Sequence, residues 1–500
     1  MSGGFVAIHA AFLRGVEALP VTVEVSLAGG IPSIHLAGQP DLSVNEGRLR
    51  VRNALRSAGY EMPRQSIVVN LAPGDVRKSG SGLDLPMAVG ILAASGQIPL
   101  NGLDGALFVG ELALDGAVSP VRGEVAYQLL ARESDLTLVG AWSSEHVSLE
   151  GVRTGYLSSI SRLRAGVAAA VSPFPERDET PLRPAPLDFA DVVGQEVAKR
   201  ACAIAAAGEL GLLMVGAPGS GKTMLARRMT TILPPLDEEL KQEALCIHSV
   251  VGEPIEGLLA GERPFRSPHH STSSAGLIGG GRPVRPGEVS LAHGGVLFLD
   301  ELAEFPTNVL QMLRQPIEEG RVRIVRADGL YTFPCAFQLL AASNPCPCGY
   351  LGDAEVPCTC SATAIERYQA RLAGPLIDRI DIVMDIARPD PDLILRGEEG
   401  LTSSDLAAMV ERGRAFRSWR RAREGDVEAE RVLDPALADY RLDDEASDLA
   451  LSIARASHLT GRGLARLCKV ARAIADIDES ERIGRSHLLE ASIYRGRRAA

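Results

Sequence analysis

A chain of 500 residues is too long for one hydrophobic core, and roughly three domains is the expectation for this length. With 46% apolar and 23% charged residues the composition excludes a disordered chain, and the 4% of aromatic residues argues against recognition by stacking bases on aromatic platforms. A formal net charge of −11 excludes a protein that coats nucleic acid by bulk attraction, so any contact with DNA has to be local.

Residues 1–20 lack a charged stretch followed by an apolar one, and no apolar run approaches the ~20 residues that span a bilayer, so a cytoplasmic protein with no membrane contact is expected. In that compartment the eight cysteines point to thiols or metal rather than disulfides. Alternation at Leu19–Leu27 and Ser66–Leu71 predicts strands, and Asn45–Ala58 and Pro86–Ala94 predict helices, giving residues 1–171 an α+β or α/β character. Residues 172–187, SPFPERDETPLRPAPL, have no apolar periodicity and predict an extended linker. In residues 188–390 a helix at Gln195–Ala207 precedes short apolar strands at Gly211–Val215, Gly295–Leu299 and Phe337–Ala342. Each strand ends in a Gly-rich or polar group, as a parallel sheet with ligands at one edge requires. From Ser403 the period is helical, including Ala446–Ala456 and Gly463–Asp476, so residues 391–500 predict a small α-helical domain.

Between the first of those strands and a helix stands Gly216-Ala217-Pro218-Gly219-Ser220-Gly221-Lys222-Thr223, a P-loop pattern in the context it needs. Glycines let the backbone curl so that N–H groups and the helix N-terminus face phosphate oxygens. Lys222 brings a charge to the β/γ-phosphates and Thr223 a hydroxyl to Mg²⁺, which makes ATP with Mg²⁺ the expected cofactor. The apolar strand at Val296–Leu299 delivers Asp300 to the metal and Glu301 as general base. Asn344, after Leu339–Ser343, is suited to hold the attacking water, or else to form a turn before Pro345. Arg379 reads either as an arginine finger reaching an adjacent subunit in a ring or as a salt bridge with Asp378 or Asp381.

Three further segments are basic. Arg321, Arg323 and Arg326 alternate with apolar residues into Asp328-Gly329, a hairpin signal whose arginines could pair with DNA phosphates or line a solvated face. The segment Arg266–Arg285 carries His269, His270, Arg282 and Arg285 around three glycines, and reads as a flexible loop for DNA or as an internal structural loop. Arg412–Arg423 has helical spacing and faces DNA or solvent. Cys346-x-Cys348 and Cys358-x-Cys360 offer four thiolates to Zn²⁺, with spacing inside each pair tighter than usual, or are reduced loop thiols.

These motifs, in this order, resemble the magnesium-chelatase-like AAA+ family of the ComM (YifB) type, bacterial competence and branch-migration ATPases. The resemblance rests on Val193–Glu209, Phe265–Phe305, Ala342–Asp353, Arg367–Ile382 and Leu464–Ile477, and runs through essentially the whole chain. It implies an α/β AAA+ core with a C-terminal helical lid, a homohexameric ring with ATP between subunits, DNA as partner in single-stranded or branched form, and branch migration as the activity. Thr460-Gly461-Arg462-Gly463 looks like the lid motif, which gives Arg462 the sensor role, with Arg466 one turn away as the alternative. The first third resembles the Lon protease domain through Lys78–Ala88 and Ser119–Ala131, but Gly82 stands where that family keeps its serine and Val125 where it keeps its lysine. Without hydroxyl and amine there is no Ser–Lys dyad and no proteolysis is expected. The competing function implied by the resemblance is a chelatase-type ATPase that remodels a protein partner.

Overall fold

Buried Val21, Val23, Val25 and Leu27 alternate with half-exposed neighbours, so the chain from Glu17 to Ala28 lies flat on a core as a strand. The computed structural model describes residues 4–143, 146–147, 149–174, 187–327, 329–372, 376–389, 391–396, 400–424 and 440–495. Most of the expected linker, residues 175–186, lies outside the described residues.

The first sheet contains β1 (Phe5–Arg14), β2 (Glu17–Ala28), β3 (Ser33–Ala37), β4 (Ser66–Ala72), β5 (Ala106–Phe108), β6 (Thr137–Gly140) and β7 (Thr154–Tyr156) in the order β3-β4-β2-β1-β5-β6-β7. It is mixed: β2 runs antiparallel to β1 and β4, and the remaining neighbours are parallel. Asp41 caps α1 (Leu42–Ser57) by accepting from the Val44 N–H at 2.9 Å. Helix α2 (Asp84–Ala94) is apolar almost all round and is buried from Asp84 to Ala93. A third helix, α3 (Glu124–Glu133), covers the sheet near β6.

The second sheet is wholly parallel. It contains β8 (Leu212–Gly216), β9 (Phe265–Arg266), β10 (Val296–Leu299) and β13 (Gln338–Ser343), with β14 (Ile382–Ile386) at one edge, ordered β9-β10-β13-β8-β14. All four residues of β10 and all six of β13 are buried, and the apolar runs Val296–Leu299 and Leu339–Ala342 are what a sheet covered on both faces produces. Before β13 the chain forms an antiparallel hairpin, β11 (Arg321–Arg326) and β12 (Gly329–Pro334). Helices α4 (Glu196–Gly208), α5 (Lys222–Arg228) and α6 (Glu238–Val251) belong to this part.

Toward the C-terminus follow α7 (Ser403–Glu424), α8 (Asp444–Ala456), α9 (Gly461–Ile477) and α10 (Arg485–Ile493). They share one apolar cluster with α4, β8 and β14, in which Leu406, Val410, Leu467 and Ile474 meet Ala203, Ile204, Leu212 and Met384. The first sheet docks on the second part through α3 and α6: the Gly123 N–H donates to the Ser249 carbonyl at 3.1 Å, and Val125 and Ala126 join Leu245 and Val250 in one cluster. Among the described residues no helix is long and apolar enough to cross a membrane.

Candidate nucleotide site and its surroundings

Because β8, β10 and β13 are parallel and in register, Val215 beside Ser343 and Leu299 beside Ala341, their C-terminal ends release Gly216, Asp300 and Asn344 at one edge. The turn out of β8 needs left-handed backbone at Gly219 (φ +77°) and Gly221 (φ +88°), which glycine adopts without strain. The Lys222 side chain then folds back over the turn and donates to the carbonyls of Gly216 (2.7 Å) and Ala217 (2.9 Å), with Asn344 Oδ1 at 3.4 Å. Only 9% exposed, its ammonium has its pKa lowered by desolvation, against the pull of Asp300 and Glu301. Thr223 Oγ1 donates to Asp300 Oδ2 at 3.0 Å, so a hydroxyl and a carboxylate stand together at this edge, oxygen donors of the kind that Mg²⁺ takes.

Glu301 sits in left-handed backbone (φ +51°), unusual for a residue with a side chain, and is exposed. Its carboxylate lies 3.5 Å from His270 Nδ1. The sequence leaves His270 open between a loop for DNA and an internal structural loop, and strand register accounts for its place here. Arg266 on β9 pairs with Leu297 on β10, and four further residues along each chain bring His270 to Glu301.

Gln195 is a second residue that the motifs did not single out. Its Nε2 donates to the Ser220 carbonyl at 2.7 Å, bracing the turn from behind, and its Oε1 is buried with no hydrogen-bond partner.

Arg379 lies elsewhere. Leu212 pairs with Ile382 and Gly216 with Ile386, so Arg379, ahead of β14, is at the sheet edge opposite the P-loop. Its guanidinium pairs with Glu318, not with Asp381, which instead accepts from Lys469 at 3.2 Å and from the Gly211 N–H at 3.1 Å. The side chain of Asp378 lies outside the described residues. Arg462 is exposed in the first turn of α9, while Arg466 donates to the carbonyls of Ile377 and Ile380, on either side of Arg379.

The four thiols of Cys346, Cys348, Cys358 and Cys360 have sulfur atoms all within 4.8 Å of one another. Separations of 3.4, 3.7 and 3.5 Å among the first three are close to the about 3.8 Å that a tetrahedron with 2.3 Å zinc–sulfur bonds requires. Backbone N–H groups of Tyr350 and Thr359 hold the Cys348 thiol down to about 5, while the neighbouring Cys358 and Cys360 thiols are pushed up. Gly349, inside this loop, packs so closely on Pro218 of the P-loop that an added Cβ would lie 2.7 Å from the Pro218 ring.

The basic segments divide. In α7, Arg414 and Arg417 donate to the carbonyls of Ala206 and Ala207 at the end of α4, Arg420 pairs with buried Asp476, and Arg423 pairs with Glu481. Arg414, Arg417 and Arg420 thereby fasten the helix to the core, whereas Arg412 and Arg423 are exposed to solvent.

On the hairpin the three arginines do not form one row. Side chains alternate across a strand, so Arg321 and Arg323 share a face, with Arg323 paired to Glu319 at 3.6 Å, while Arg326 is on the face of Val322 and Ile324. Toward the tip the paired Val325 and Leu330 are 79% and 50% exposed. The glycine loop is folded rather than flexible, because Gly279 and Gly280 pair antiparallel with Pro286 and Arg285. In the N-terminal part, Ser81 donates to Glu111 and Lys78 to the Pro73 carbonyl, so these two side chains are not paired with each other.

Residues 188–393 match the family described as magnesium chelatase, subunit ChlI; residues 23–139 match subunit ChlI of Mg-chelatase, and residues 400–495 its C-terminal family. The chain is 40% identical to the uncharacterized protein YifB of Escherichia coli, covering 98% of this chain and 96% of that one. It is 38% identical to the competence protein ComM of Haemophilus influenzae, covering 96% and 95%. Similarity to the magnesium-chelatase 67 kDa subunit of Chlorobaculum parvum is 29% over 31% of this chain and 23% of that one. By near full-length similarity the chain belongs to the magnesium-chelatase-like family of the ComM/YifB type, AAA+-type ATPases that use ATP and Mg²⁺.

Proposed function

We propose that this protein is a ring-forming ATPase, a hexamer, that moves along DNA as a translocase or helicase and promotes branch migration during recombination of incoming DNA. The convergence of Lys222, Thr223, Asp300 and Asn344 at one sheet edge is the observation that carries the motor. In this reading the P-loop amides and Lys222 bind the β/γ-phosphates, Thr223 and Asp300 hold Mg²⁺, Glu301 takes the proton of the attacking water, and Asn344 orients that water. When bound, Mg²⁺ neutralises charge that develops on the phosphates. Arg379, at the far edge from its own P-loop, serves only a neighbouring subunit, which is the reason for a ring. Arg462, exposed at the start of α9, is the sensor in the lid, and Arg466 holds the Arg379 turn.

Four cysteines next to Pro218 form a zinc site that stiffens the loop carrying Asn344. Residues 1–171 are a Lon-like domain that lacks the catalytic pair, residues 188–390 the AAA+ core and 391–500 the lid. For DNA, the support is the set Arg321, Arg323, Arg326, Arg282 and Arg285 in an acidic chain, together with the similarity to a competence protein. The test is the rate of ATP hydrolysis with and without single-stranded or forked DNA, for wild type and the Arg323→Ala/Arg326→Ala variant. Stimulation that the variant loses is expected. An ATPase that neither binds nor responds to DNA leaves the chelatase-type protein remodeller as the better reading.

A further inference from the structure

A cleft of about 990 Å³ opens between the Lon-like part and the ATPase core, lined from one side by the turn after β1 and residues 77–82, and from the other by the loop at 281–285 and the hairpin. Six arginines line it: Arg14, Arg77, Arg122, Arg282, Arg285 and Arg326. Asp41 and Glu111 are its carboxylates among the described residues, and both are already hydrogen-bonded, Asp41 to the start of α1 and Glu111 to Ser81.

Arg77, Arg282, Arg285 and Arg326 are exposed and make no ion pair among the described residues. Arg14 reaches across from the first sheet to the hairpin, where its guanidinium lies 5.9 Å from the Tyr331 ring centroid and fills the space beside Gly329. Arg122 is fixed by its bond to the Val251 carbonyl at 3.2 Å. In a chain of formal charge −11, four exposed guanidinium groups that make no ion pair among the described residues converge here from two parts of the molecule, and a bound polyanion would relieve their mutual repulsion.

We infer that this cleft binds the phosphate backbone of a single nucleic-acid strand, so that the N-terminal part forms one wall of the strand's path. The inference rests on the DNA reading above and extends it to a part of the chain that reading leaves without a role. A strand supplies one phosphate per nucleotide at even spacing, and planar guanidinium forks match phosphate oxygens. An acidic peptide would need almost every residue ionised to do the same.

The experiment is fluorescence anisotropy of a labelled oligothymidylate with the full-length protein, over a range of salt concentrations. For Arg77→Ala and Arg77→Ala/Arg285→Ala, affinity should fall and the slope of log affinity against log salt should become shallower by about 0.7 for each arginine removed. Arg77→Lys should keep the wild-type slope, and melting temperatures should not change. Wild-type binding with an unchanged slope in Arg77→Ala overturns the cleft while leaving DNA binding by the hairpin intact; no binding by wild type sinks both. Displacement of the oligonucleotide by polyglutamate at equal charge overturns the inference in favour of an acidic peptide. As a readout that does not depend on affinity, benzoylphenylalanine in place of Ser79 should cross-link to the strand on illumination, and a clean absence of cross-link contradicts the proposal.

Discussion

Two turns of almost the same composition lead into helices in this molecule, Gly219-Ser220-Gly221-Lys222-Thr223 into α5 and Gly80-Ser81-Gly82-Leu83-Asp84 into α2. In the first, Lys222 and Thr223 bring a cation and a hydroxyl to the helix start, and the carboxylate that Thr223 meets, Asp300, comes from another strand. In the second the protein supplies its own anion. Asp84 is buried at the first helical position, pairs with Arg50 and accepts from the Leu112 N–H at 3.4 Å, and Leu83 and Gly82 offer no group to a substrate. Glycine and serine set the shape of the turn, and the two residues that follow decide whether the helix start carries a cation and a hydroxyl or a buried ion pair.

That contrast can be broken by mutation. Largest should be Glu301→Gln, which keeps ATP binding while lowering the turnover number by about 10²–10⁴-fold. Turnover within tenfold of wild type would remove Glu301 from the reaction. In the second turn the expected damage is to stability instead. Asp84→Ala leaves Arg50 without its partner in a half-buried place and should cost about 3 kcal/mol in urea unfolding, with ATP affinity unchanged. A loss of nucleotide binding at full stability would mean that the two turns are not independent. Smaller again is the effect at the cysteine loop. The wild-type protein, purified under reducing conditions, should carry about one zinc ion per chain, and Cys348→Ala should lose it and unfold at lower temperature. Metal content near zero in the wild type contradicts the zinc site and reduces Gly349 against Pro218 to ordinary packing.

What the sequence discloses is local. The P-loop, the acid pair and Asn344 each follow a short apolar strand directly, so a motif of a few residues specifies both the element and the site. The helices and strands of the first third and of the C-terminus are legible for the same reason, since their apolar period is written along the segment itself. Pairings across the chain are not. His270 meets Glu301 only because β9 and β10 are parallel and in register. Arg379 finds Glu318 at a separation of 61 residues, and Arg414 finds the Ala206 carbonyl at a separation of 208. The basic run Arg412–Arg423 has the charge pattern of a solvated face, and nothing within it announces that helix carbonyls and Asp476 will take up its guanidinium groups. Two-face alternation was available in Arg321–Arg326, where an odd–even count alone separates Arg326 from Arg321 and Arg323.

The account stands most directly on calorimetric titration of ATP with Mg²⁺ into the wild-type protein and into Lys222→Ala, with phosphate release followed in parallel. It predicts saturable binding and steady turnover for wild type, and affinity weaker by on the order of a hundredfold with turnover lost for the variant, because a buried charge-assisted contact to phosphate is gone. Equal affinity and equal turnover in the two proteins, both correctly folded, would contradict it.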